Sequence, residues 1–270
     1  METRWGIAYS SEFRDRRTLD LFLPGSNGNG CGILFIHGGG WSAGDLRQWH
    51  PLCEHFCERG FVCASAEYRL VPHTRFEGQI EDVRLAMCYV RRHADELGIS
   101  PRRIAAAGSS AGGHLAAMLG TIAPDDPLGV TRELVVRDTR PNAVVCYCPV
   151  VTVHESDKLA EARLALMGKR EAEDPELYRA ASPIDRVTGA EPPFLFLQGD
   201  ADETTPLFET AAMSDKLRRL GGISELVVLP GVGHGFGYGV TTDAQRRSIR
   251  HIGAFLATHF QLPGLLERPA

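Results

Sequence analysis

The chain predicts an α/β fold, a mostly parallel sheet with helices on both faces. Three observations carry this expectation. Short, continuously apolar runs of strand length alternate with longer amphipathic runs of helical period. One such run, Ile104-Ala105-Ala106-Ala107, ends in Gly108-Ser109-Ser110-Ala111-Gly112 and passes without a break into an Ala/Leu-rich stretch, the pattern of a strand, a sharp turn and a helix. No linker, repeat or low-complexity segment interrupts the alternation, so one domain over residues 1–270 is the simplest organisation.

Taken in order, residues 17–23 read as a strand with one apolar face, and the Pro/Gly/Asn-rich residues 24–30 as a loop. Residues 33–36 are apolar throughout, as in a central strand covered on both sides, and stop at His37-Gly38-Gly39-Gly40-Trp41. Residues 47–59 read as a helix and 61–66 as the next buried strand. Residues 76–97 read as a long amphipathic helix carrying Ile80, Val83, Leu85, Met87 and Val90, with Gly98 as its C-cap. The helix that follows Ser110 is expected to reach residue 122, because Pro124 and Pro127 break it. Residues 143–148 form another buried strand. Residues 149–191 are helical in pattern and polar, with no convincing strand, and read as a lid inserted over one end of the sheet. The sheet resumes at 194–198, a helix at 207–220 ends in Gly221-Gly222, and 225–229 is the last strand. A glycine-rich loop at 231–236 leads to a closing helix at 241–260. About 16 residues precede the first strand on this reading.

Composition narrows the function classes. Asp and Glu outnumber Lys and Arg by 34 to 29, a formal net charge of -5, which argues against nucleic acid or an anionic membrane surface as partner. The Arg pairs are scattered among acids and read as solvated faces. No apolar run reaches the roughly 18 residues of a membrane helix, and the first residues lead into no signal-peptide core, so a cytoplasmic location is expected. Seven cysteines, an odd number, argue for reduced and buried thiols rather than a disulfide framework. His50, Cys53 and Cys57 would share a helix face, but no fourth ligand stands at zinc-like spacing, so no metal and no cofactor is expected.

In a parallel sheet, ligands bind at the carboxyl ends of the strands. Four unusual stretches stand there: the glycine run after Ile36, the Ser110 turn, the acidic loop Gly199-Asp200-Ala201-Asp202-Glu203, and the His234 loop. A serine hydroxyl needs a base within hydrogen-bond reach, and that base needs an acid to fix its tautomer. Ser110, Asp202 and His234 supply nucleophile, acid and base, with Asp200 the alternative acid. Three successive glycines let backbone N–H groups point at a reacting carbonyl, and the Ala111 N–H adds a donor from the helix side. His37, His114, Trp41, Tyr68 and Arg69 read as packing and anchoring residues.

Seven motifs agree in order with one family: His37-Gly38-Gly39-Gly40-Trp41, Tyr68-Arg69-Leu70, Ile80-Glu81-Asp82-Val83, Ser110-Ala111-Gly112-Gly113-His114-Leu115, Ala181-Ser182-Pro183-Ile184, Pro192-Pro193-Phe194-Leu195 and Gly233-His234-Gly235-Phe236. From about Arg17 to Phe260 the chain resembles the α/β-hydrolase carboxylesterases with an HGGG oxyanion motif, of the hormone-sensitive-lipase type or the compact acetyl-xylan and feruloyl-esterase type. The resemblance implies the α/β-hydrolase fold, Ser110, Asp202 and His234 as the triad, and Gly39, Gly40 and Ala111 as oxyanion donors. Ser109, Gln198 and Thr205 depart from the family pattern. The resemblance also implies a serine carboxylesterase; with only about 16 residues before the first strand, 149–191 is the main candidate lid, which suggests an open site for short acyl groups on a small-molecule or carbohydrate ester. An arylformamidase acting on formyl-kynurenine, or a lipase-like esterase for longer chains, is the alternative; a non-catalytic small-molecule receptor on the same fold is the rival from another class, disfavoured because Ser110, Asp202 and His234 are all retained. Oligomeric state is open.

Overall fold

The computed structural model describes residues 1–156 and 158–262. Its strands are β1 (Glu2–Ala8), β2 (Thr18–Leu23), β3 (Gly32–Ile36), β4 (Val62–Ala66), β5 (Ile104–Ser109), β6 (Ala143–Tyr147), β7 (Phe194–Gly199) and β8 (Ser224–Leu229). The helices are α1 (His50–Cys57), α2 (Phe76–Arg92), α3 (Ala111–Thr121), α4 (Ala160–Met167), α5 (Pro175–Ala181), α6 (Pro183–Arg186), α7 (Leu207–Arg219) and α8 (Asp243–Phe260). All eight strands join one sheet in the order β1-β2-β4-β3-β5-β6-β7-β8. Only the β1/β2 and β2/β4 pairings are antiparallel; the strands from β4 to β8 run parallel.

The central strands β3 to β7 are buried on both faces because side chains alternate along each strand and both sets are largely apolar. Leu34, Ile36, Ala106, Val144 and Phe196 face one layer with Phe76, Ile80 and Val83 of α2, Leu115 and Met118 of α3, and Met213 and Leu217 of α7. Their neighbours Ile33, Phe35, Ala105, Val145 and Leu195 face the other, with Leu52 and Phe56 of α1 and Ile249 and Phe255 of α8. The alternating β–α pattern therefore yields the doubly covered, mostly parallel sheet it implies.

Three expectations need correction. The first strand is β1, near the start of the chain, not the segment around residues 17–23. Strand β1 lies at the sheet edge, mostly exposed, and its register slips between Arg4 and Ile7, where the Gly6 N–H bonds Asp20 Oδ1 at 2.7 Å. An exposed, bulged edge strand carries no clean alternation to detect. The expected helix over 47–59 divides into a 3₁₀ turn (Leu46–Trp49) and α1, since Pro51 fits only the first helical turn. Helix α2 ends at Arg92 rather than near residue 97; the backbone tightens to Ala94 N–Arg91 O, and Gly98 (φ +68°) turns the chain after a further loop.

Between β6 and β7, residues 149–191 hold α4, a 3₁₀ turn at Glu171–Glu173, α5 and α6. This segment is anchored by Leu166, Met167, Tyr178 and Ala181, which enter the same apolar layer as α3. All seven cysteines are buried and unpaired. No helix among the described residues is long and apolar enough to cross a membrane.

Candidate active site

The turn from β5 to α3 brings backbone segments into contact. A Cβ on Gly108 would lie 2.1 Å from Gly112 O, and one on Gly112 would lie 2.1 Å from Ile36 O, so both positions require glycine. Ser110 sits at the tip with φ +56° and ψ −119°, a strained conformation for a residue with a side chain. The strain lifts its hydroxyl off the sheet and leaves the first N–H groups of α3 facing the same space.

Ser110, Asp202 and His234 come together from three loops at the carboxyl ends of β5, β7 and β8. His234 Nε2 is 2.9 Å from Ser110 Oγ, and His234 Nδ1 is 2.8 Å from Asp202 Oδ2. Asp202 is buried and saturated with donors. Its Oδ1 accepts the Thr204 and Thr205 N–H groups, both at 2.9 Å, and its Oδ2 accepts the Thr205 hydroxyl at 2.9 Å and Gln198 Nε2 at 3.2 Å. Burial alone would raise its pKa, but the bonds from His234 and Thr205 outweigh it and hold the carboxyl below its ordinary value. Burial likewise disfavours the His234 imidazolium, yet the Asp202 carboxylate, together with the neighbouring Cys148, outweighs it and raises its pKa above the usual 6.5. Asp200, the other candidate acid, is exposed and instead accepts the Gly231 N–H at 2.6 Å.

The glycine run approaches Ser110 from β3. Gly39 and Gly40 take φ values of +121° and +59°, and together with Ala111 they line the same cleft as Ser110. Their loop is braced from behind. His37 Nδ1 donates to Gly38 O at 2.9 Å and His37 stacks on Tyr68, whose hydroxyl donates to His37 O at 3.0 Å. Glu67 closes this support, meeting His37 Nε2 at 3.2 Å and the Leu46 N–H at 3.2 Å. Trp41 Nε1 donates to His114 Nδ1 at 3.1 Å while His114 Nε2 donates to Ala181 O at 2.8 Å, which assigns the tautomer. Burial lowers the His114 pKa to about 4, so it is a neutral packing residue. Arg69 pairs with Asp82 at 2.8 Å. It ties the segment after β4 to α2, bonding Glu81 and Gly78 O as well.

A family model described as BD-FAE matches residues 19–217. The chain belongs to the BD-FAE family. This is an α/β-hydrolase family of esterase type. The BD-FAE match spans β2 through most of α7 and so includes Ser110 and Asp202, while His234 lies beyond it. The chain is 34% identical over 212 residues to Esterase LipC of Mycobacterium tuberculosis, covering 76% of this chain and 52% of that protein. It is 25% identical over 238 residues to the acetylxylan esterase of Xylanibacter ruminicola, covering 87% of this chain and 47% of that one. The chain thus spans about half the length of the curated relatives it matches. Among solved structures, butyrate-bound esterase 2 of Thermogutta terrifontis superposes with a TM-score of 0.81 at 26% identity, over 99% of this chain and 96% of the other.

In this BD-FAE domain the cleft measures about 370 Å³ and is walled by Trp41, Val150, Leu159, Thr204 and Tyr238, with Gln48 at one side. Cys148, Asp202 and His234 form a grouping of possible metal donors, with ligand atoms within 4.8 Å of one another. The donors are already engaged: Asp202 takes four protein donors besides His234. The arrangement is a hydrogen-bond network. His50 instead bonds Asp20 Oδ2 at 3.0 Å, and Cys53 and Cys57 are buried in the apolar layer under α1, so these three do not converge on a cation.

Several contributors were not singled out for a role in the sequence. Gln198 and Thr205, noted only as departures, both hold Asp202; their position flanking the acidic loop was the available signal. Glu67 and Tyr238 were missed, since a lone Glu before Tyr68 and a Tyr in a glycine-rich loop carry no motif.

Proposed function

We propose that this domain is a serine carboxylesterase for short acyl groups, acetyl to butyryl, with Ser110 as nucleophile, His234 as base and Asp202 as its orienting acid. The observation that carries the reading is the unbroken relay from Ser110 Oγ to His234 Nε2 at 2.9 Å and from His234 Nδ1 to Asp202 at 2.8 Å, opening on the cleft. With Asp202 accepting a hydrogen bond from Nδ1–H, Nε2 carries the lone pair that takes the Ser110 proton as Oγ attacks the ester carbonyl. The new oxyanion is met by the N–H groups of Gly39, Gly40 and Ala111. The imidazolium then gives its proton to the departing alcohol, leaving an acyl group on Ser110. Water, deprotonated by the same imidazole, attacks this acyl-enzyme; the imidazolium returns the proton to Ser110 Oγ as the ester bond breaks and the acid leaves.

The size and walls of the cleft support the choice of acyl group. About 370 Å³ is near the small end of the range for ligand sites, and Trp41, Val150 and Leu159 make its sides apolar. Two of these wall residues, Val150 and Leu159, belong to residues 149–191, which on this reading act as the lid. The butyrate complex of the Thermogutta esterase supports the same acyl length, and the acetylxylan esterase relative supports acetylated carbohydrate as one substrate class. A p-nitrophenyl ester panel from acetate to palmitate, with Ser110→Ala as control, tests the proposal. Turnover is expected to peak between acetate and butyrate and to vanish in Ser110→Ala. Activity independent of Ser110, or a preference for palmitate, would overturn it.

A further inference from the structure

The geometry points to Tyr238 as a positioning residue that locks the oxyanion loop to the loop carrying His234. The inference rests on the esterase reading of the same cleft. Tyr238 lies four residues after His234, and its hydroxyl accepts the Gly38 N–H at 2.7 Å, a contact between residues 200 apart in sequence. The ring is held in turn by Trp49, with centroids 4.8 Å apart. Trp49 is fully buried against Phe35 of β3, the strand from which the glycine run emerges. A single phenol therefore connects the two loops whose spacing sets where a substrate carbonyl can sit between base and oxyanion donors.

This contact also divides the labour of the three glycines. Gly38 gives its N–H to Tyr238 and cannot offer it to an oxyanion, whereas Gly39 and Gly40 follow with left-handed backbone and line the cleft. A Cβ on Gly38 would lie 2.6 Å from the Tyr238 hydroxyl oxygen and 2.6 Å from Ser109 O, so the phenol fills the notch that glycine leaves. Gly38 is thus a seat for the phenol, and the next two residues present the donors. Burial raises the Tyr238 pKa to about 12, keeping the phenol protonated at neutral pH. Removing the hydroxyl frees the loop without touching any proposed catalytic atom, so the loss belongs in the transition state.

Tyr238→Phe keeps the ring against Trp49 and removes only the hydroxyl. For p-nitrophenyl butyrate, kcat is expected to fall about tenfold, less than the hundredfold or more from losing a donor outright. KM is expected to stay within about twofold. The inhibition constant of a butylboronic acid, whose tetrahedral adduct on Ser110 occupies the oxyanion position, should rise by the same factor as kcat falls. Fluorophosphonate titration of Ser110 counts competent sites, and Tm reports folding. Unchanged kcat and unchanged boronate affinity would overturn the inference. So would a loss explained wholly by fewer titratable sites at a lowered Tm. If the wild type shows no Ser110-dependent turnover, the esterase reading itself falls, which separates the two failures.

Discussion

Replacing Asp202 by Asn tests the site most severely, because the surrounding donors leave a carboxamide no acceptable orientation. Each carboxylate oxygen of Asp202 faces donors: two backbone N–H groups at Oδ1, and Gln198 Nε2, the Thr205 hydroxyl and His234 Nδ1 at Oδ2. An NH2 group on the Oδ1 side would oppose two fixed N–H groups. On the Oδ2 side it opposes Gln198, whose Nε2 also donates to Thr205 O at 2.9 Å, so turning the amide over would set its Oε1 against that carbonyl. Thr205 can adapt, since its hydroxyl can donate to Cys148 O at 3.1 Å instead. His234 adapts only by moving its proton from Nδ1 to Nε2, and Nε2 then cannot accept from Ser110. Asp202→Asn should therefore lower kcat by a factor on the order of 10⁴, the scale observed when a triad histidine is forced into the wrong tautomer. Steady-state rates on p-nitrophenyl butyrate, normalised by phosphonate titration, measure this. Asp200→Asn is the contrast: its amide oxygen can still accept from Gly231, and as an exposed position it should change the rate by no more than about twofold. Retention of more than about a tenth of the rate in Asp202→Asn, or a larger loss in Asp200→Asn, would refute the assignment.

The pH dependence has a definite sign. His234 acts as a base only when neutral, and its raised pKa keeps it protonated to higher pH, so kcat/KM should rise with pH through a midpoint above 6.5; a midpoint at or below 6.5 would count against the Asp202 pairing. The same pairing stabilises the fold below the unfolded-state pKa, and that contribution is lost as pH rises through the folded-state value. Gly112→Ala should destabilise the protein by about 3 kcal/mol or prevent its recovery, because the added methyl meets Ile36 O at 2.1 Å, as denaturant unfolding would reveal. Leu159→Ala widens the cleft wall and should shift the ratio of octanoate to acetate hydrolysis upward by about tenfold; an unchanged ratio would remove the 149–191 segment from the acyl side.

The central strands could be read from sequence because their burial is complete. Strands β3 to β7 are apolar on both faces, so Ile33 to Ile36 or Phe194 to Leu197 stand out without any partner in view. Strand β1 does not, because edge exposure and the slip at Gly6 remove its periodicity. At the site, Ser110 announces itself through Gly108 and Gly112, whose crowding is local to one turn. Asp202 and His234 follow from their place after strands. Gln198, Thr205, Glu67 and Tyr238 act only across space, through bonds to Asp202, His37 and Gly38, and their identities say little until the loops are brought together.

The sheet order puts β3 between β4 and β5, so the segments that meet at Ser110 are distant in the chain; the Ser110–His234 bond alone spans 124 residues. Such a site has a place in time as well as in space. Parallel pairing requires long loops to close before contacts reward it, which makes assembly of this sheet slow compared with formation of its helices. Helix α3 can form around Ser110 early, yet His234 and Tyr238 arrive only when β8 has docked. During refolding, reactivity of Ser110 toward a phosphonate should therefore lag the recovery of helical circular dichroism, marking when the last strands settle.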